Sequence, residues 1–64
     1  MITVRRLNDR AVVLNADLIK MIESTPDTLI TLINGDTLMV RESLEEVVDK
    51  AIDYARKVRG FQIV

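Results

Sequence analysis

The sequence contains no cysteine, no histidine and no tryptophan. Without cysteine there are no disulfides, and without cysteine or histidine there are no thiolate or imidazole metal sites. The usual general bases and nucleophiles at neutral pH are missing as well, so no catalysis and no cofactor are expected. Tyr54 and Phe61 are the aromatics. The core is therefore aliphatic, and platforms on which bases could stack are lacking. Uninterrupted apolar runs are only a few residues long, so no membrane insertion is expected. Met1-Ile2-Thr3-Val4-Arg5-Arg6 is not a basic head followed by an apolar core, and no signal peptide is read there. With the lack of cysteine, the chain reads as cytoplasmic. Neither sign of charge prevails. Nine basic and ten acidic residues leave a net charge of −1, which offers no global attraction to nucleic acid or anionic lipid.

What is present is a chain of 64 residues, 48% hydrophobic, read as one domain over residues 1–64. A domain of this size buries only about 60% of the surface of its unfolded chain. Small domains add disulfides, a metal or self-association. Only the last remains common here, so a homo-oligomer is expected.

Short β-rich runs alternate with turn residues. Ile2 to Leu7 and Ala11 to Leu14 read as strands around an Asn8-Asp9-Arg10 turn. Asn15-Ala16-Asp17 is a turn or a single helical turn capped by Asn or Asp. Leu18 to Ser24 is a third strand. Thr25-Pro26-Asp27-Thr28 is a turn with Pro at its second position. Leu29 to Ile33 and Asp36 to Val40 flank Asn34-Gly35, the strongest local hairpin signal, read as a two-residue type I′ turn. Ser43-Leu44-Glu45-Glu46 is a capping box. The helix behind it places Leu44, Val47, Val48, Ala51, Ile52, Ala55 and Val58 on an apolar stripe. Glu46/Lys50 and Asp53/Lys57 stand at pairing distance on its solvent face. Gly60 is a natural stop, and Phe61 to Val64 is a short apolar tail. The fold class is α+β: a small, curled antiparallel β-meander of about five strands with one C-terminal amphipathic helix.

A two-residue loop would pair Thr31 with Leu38 and Leu29 with Val40. Ile30, Leu32 and Met39 would then occupy the other face. Both faces would be largely apolar, so cover beyond one helix is expected, from a curled N-terminal sheet or another subunit. Arg5, Arg6 and Arg10 gather at the first turn, a candidate contact for an acidic partner. Tyr54, Val58 and Phe61 fall at i, i+4 and i+7, a second stripe that is a candidate interaction edge.

Asn15 to Ile19, Ile22-Glu23-Ser24-Thr25-Pro26-Asp27-Thr28, Asn34-Gly35 and Val40 to Val48 together resemble a known family. It is the FlbD family of small bacterial flagellar proteins, also called SwrD. The resemblance covers nearly the whole chain, and Glu-Ser-Thr-Pro-Asp-Thr is its most specific part. The family shows Asn-Gly at the first turn, where this chain has Asn8-Asp9. The resemblance implies a non-enzymatic cytoplasmic protein, peripheral at the flagellar base, that supports motility through a motor or stator component. It supplies no functional residues. The alternative is a small nucleic-acid-binding regulator of flagellar genes, since Ile22 to Val47 is loosely similar to part of LytTR-type DNA-binding domains. No nucleic-acid partner is expected at this net charge.

Overall fold

The computed structural model describes residues 1–60. The strands are β1 (Ile2–Arg5), β2 (Ala11–Leu14), β3 (Ile19–Ser24), β4 (Thr28–Leu32) and β5 (Thr37–Val40); α1 (Leu44–Gly60) follows. A single 3-10 turn, Ala16–Leu18, links β2 to β3, and Asn15 Oδ1 caps it by accepting from the Asp17 N–H at 3.0 Å. The α+β class read from the sequence is the one found. Several boundaries move. β1 ends at Arg5 rather than Leu7, Leu18 belongs to the 3-10 turn, β4 starts and stops one residue early, and β5 begins at Thr37. The Phe61–Val64 tail lies outside the described residues.

Two of the turns are built alike, and neither is the two-residue type. At the first, the Arg6 N–H donates to the Arg10 carbonyl at 2.9 Å and the Asp9 N–H to the Arg6 carbonyl at 2.8 Å. At the other, the Leu32 N–H donates to the Asp36 carbonyl at 2.8 Å and the Gly35 N–H to the Leu32 carbonyl at 2.9 Å. The third loop residue is left-handed in both, Asp9 at φ 73° and Gly35 at φ 95°. The preceding asparagine side chains accept from the Arg10 and Asp36 N–H groups at 3.1 and 3.0 Å. This is the three-residue hairpin: a type I turn followed by a left-handed bulge residue. A type I′ turn would also need positive φ at Asn34, which Asn34 does not have.

The extra loop residue, Ile33, moves the register by one. Thr28 pairs with Val40 and Ile30 with Leu38, while Leu29 pairs with Met39. Side chains alternate along a strand, so a one-residue slip re-sorts both faces. The inner face now carries Thr28, Ile30, Leu32, Leu38 and Val40. The outer face carries Leu29, Thr31, Thr37 and Met39, with Met21 and Glu23 from β3. The expected two apolar faces are replaced by one apolar and one mixed face. At the remaining turn Ser24 pairs with Thr28 and the Thr25–Pro26 peptide is cis. Thr28 belongs to β4, so the loop is Thr25-Pro26-Asp27 rather than the four residues Thr25 to Thr28.

β1 and β2 form one hairpin; β3, β4 and β5 form a three-stranded meander. A bridge between Arg6 and Val40 joins them, with the Arg41 N–H donating to the Arg5 carbonyl at 2.8 Å. The Glu42 carboxylate closes the same joint by accepting from the Arg5 N–H at 2.9 and 3.1 Å. Across this joint the strands lie in the order β2-β1-β5-β4-β3, two sheets linked by that one bridge. Ile2, Val4 and Leu14 from the hairpin meet Ile30 and Val40 from the meander, and Val47 of α1 completes the core.

α1 packs on β1 and β3. Its capping box forms as the sequence indicated: the Glu46 N–H donates to Ser43 Oγ at 3.1 Å and the Ser43 N–H to Glu46 Oε1 at 3.2 Å. Ser43→Ala should lower stability by about 1 kcal/mol. An unchanged urea midpoint would show that the cap contributes nothing. Glu46 is used in the cap, and the expected Glu46/Lys50 and Asp53/Lys57 pairs are not formed; Arg41–Asp9, at 3.2 Å, is the ion pair among the described residues. The buried stripe is also rotated from the expected one. Val47 is buried and Tyr54 packs against the core, whereas Ile52 and Val58 are exposed.

Candidate interaction surface

The turn of the first hairpin lies beside the connection between β5 and α1, and the joint collects cations. Arg5, Arg6 and Arg10 are all exposed around the β1–β2 turn, as the sequence indicated. Arg41 joins them because its Nη1 lies 3.2 Å from Asp9 Oδ1. Arg5 Nη1 donates to the Asp9 carbonyl at 3.0 Å. The left-handed Asp9 thus holds two guanidinium groups in place with its backbone and side chain. Sequence reading missed Arg41 because 32 residues separate it from Asp9. Only the β1–β5 joint brings them together.

Apolar surface adjoins these cations. Leu7 and Met39 are exposed and share a shallow groove with Arg6. Met39 continues onto the outer sheet face, where Met21 is also exposed and Leu29 half-buried. The result is a mixed basic and apolar surface beside the β1–β5 joint. Such a surface suits an acidic, partly apolar protein partner, since charge steers the encounter and the apolar side chains supply burial.

Two members of the second expected cluster, Tyr54 and Val58, fall among the described residues. Tyr54 serves the fold: it packs against the core and its hydroxyl donates to Asp17 Oδ2 at 3.4 Å. Val58 is exposed. Phe61 lies outside the described residues. Tyr54 lines a different groove from the arginines, beside Met1, Ile2 and Thr3.

A groove of about 500 Å³ runs between the Pro26 turn and the start of α1. Asp27, Glu42, Glu45 and Glu46 line it with Arg41. Among the described residues no group of three acidic, histidine or cysteine side chains is placed to hold a metal ion. No helix among them is long and apolar enough to cross a membrane.

The family model described as flagellar and swarming motility proteins, FlbD, matches residues 1–59. The chain belongs to the FlbD family. The match spans every strand and nearly all of α1, so the arginine tip, Met21, Met39 and the cap all belong to the FlbD domain. That membership gives the protein a role in flagellar or swarming motility. Comparison with curated proteins and with solved structures gives no match.

Proposed function

We propose that this FlbD protein is a non-enzymatic flagellar accessory protein of the cytoplasm that acts by docking a motor or stator component at the flagellar base. Family membership supports the motility role. The observation that carries the docking role is the surface where Arg6 and Arg41 adjoin exposed Leu7 and Met39. The absence of histidine and cysteine favours binding over chemistry.

In a motile host, deletion of the gene should reduce swimming or swarming and leave growth intact. An Arg6→Glu/Met39→Asp variant should fold normally and fail to restore motility. Full rescue by that variant would remove this surface from the docking role. Normal motility in the deletion strain would remove the accessory role itself.

One observation favours a second reading, a nucleic-acid-binding regulator of flagellar genes. Arg41 brings the cluster around the first turn to four arginines. Against it stand the net charge of −1 and the scarcity of aromatics. Retention of flagellar promoter DNA that is sequence-dependent and survives moderate salt would favour this reading.

A further inference from the structure

One edge of β2 is open. The Arg6–Arg10 hydrogen bond sets the parity of the first hairpin. Val4/Val12 and Ile2/Leu14 are then the bonded pairs, and Ala11 and Val13 aim their N–H and C=O groups away from β1. β1 obeys the same parity on its far side, where the Arg5 backbone reaches Arg41 and Glu42. Among the described residues no hydrogen bond reaches the outward groups of Ala11 or Val13.

Folded monomers protect such edges with charges, bulges, proline or cover. The opposite outer strand, β3, does so: it carries Lys20 and Glu23, has an irregular register between Ile19 and Met21, and lies against α1. β2 has none of these devices. It reads Ala-Val-Val-Leu, and Val13 is 65% exposed. Beside it opens a groove of about 390 Å³ whose apolar wall is Val12, Leu14, Leu18, Leu32 and Leu38.

We infer that β2 pairs antiparallel with β2 of a second copy, Val13 against Val13 and Ala11 against Asn15, so that one sheet runs through a two-fold axis. This register matches the outward parity of Ala11 and Val13. The inner side chains of the added strand extend the apolar face over the open groove. A domain that buries six apolar side chains gains from this cover. The contact leaves Leu7 and Met39 free, while Arg6 lines both the groove beside β2 and the docking groove.

The chain has no cysteine, so Val13→Cys introduces a single thiol. A bonded antiparallel pair sets Cα atoms about 5.5 Å apart, within disulfide reach. The full-length chain should sediment as a dimer at micromolar concentration. Val13→Lys should weaken the dimer about tenfold or more with its helical circular dichroism retained, and Met39→Lys should leave it unchanged. On mild oxidation Val13→Cys should give a covalent dimer, and Met39→Cys should not. A monomeric wild type overturns the inference. So does a dimer that Met39→Lys dissociates and Val13→Lys does not. If Val13→Lys fails to fold, the crosslink decides, and its absence from Val13→Cys counts against β2 pairing.

Discussion

Ile30→Ala is expected to cost about 3 kcal/mol. Ile30 is fully enclosed at the centre of the middle strand of the meander, between Ile22 and Leu38. Its side chain belongs to the cluster formed with Val4, Val40 and Val47, drawn from three other elements. Truncation therefore loses burial and leaves a void that four packed elements cannot close without moving. A domain of this length has a total stability of roughly 3–10 kcal/mol. The substitution thus removes a third or more of it. With a slope near 1 kcal/mol per molar urea, the midpoint should fall by about 3 M or unfold at the outset. Leu29→Ala, one residue away on the half-buried outer face, should cost about 1 kcal/mol or less. Equal losses for the two variants would contradict the observed register, since the register alone puts Ile30 inside and Leu29 outside.

Gly35→Val should cost about 2 kcal/mol, for a different reason. A Cβ at Gly35 would meet nothing within 4 Å. The cost is therefore in the backbone, because φ 95° is strained for a β-branched residue. In a domain of 60–100 residues that is a fall in Tm of roughly 10 °C. The first hairpin supplies the converse test. Asp9 holds the same left-handed position with a side chain attached. Asp9→Gly relieves that strain and loses an ion pair to Arg41 whose partners are 56% and 65% exposed, a pair worth little in water. The expected net effect is a small gain, about 0.5 kcal/mol. An unchanged Tm in Gly35→Val would mean that the loop can take another turn type.

Much of the fold was legible because its signals are local. The capping box needs only Ser43 and Glu46, three residues apart, and it formed as read. The strand count follows from short β-rich runs between turn residues. The type of the Asn34-Gly35 loop was not legible. The same dipeptide serves a two-residue and a three-residue hairpin, and the choice turns on whether Ile33 joins the strand or the loop. That single residue decided which half of the meander is core. The helix stripe was half legible. Ile52 and Tyr54 both fall within reach of a helical apolar arc, and contact with the sheet and Asp17 chose Tyr54.

The interaction surface was legible in its nearby members only. Arg5, Arg6 and Arg10 lie within one hairpin, so the sequence marks them. Arg41, Leu7 and Met39 meet at a joint between sheets, and no spacing in the chain encodes that meeting.

The amino-acid order alone settled the elements, the cap, the turn positions and the lack of reactive side chains, since each depends on residues a few positions apart. Tertiary structure decided the register, the sorting of the two faces, the cluster held by Asp9 and the open edge of β2. These depend on which strands lie side by side, and a one-residue change in a loop is enough to exchange inside for outside.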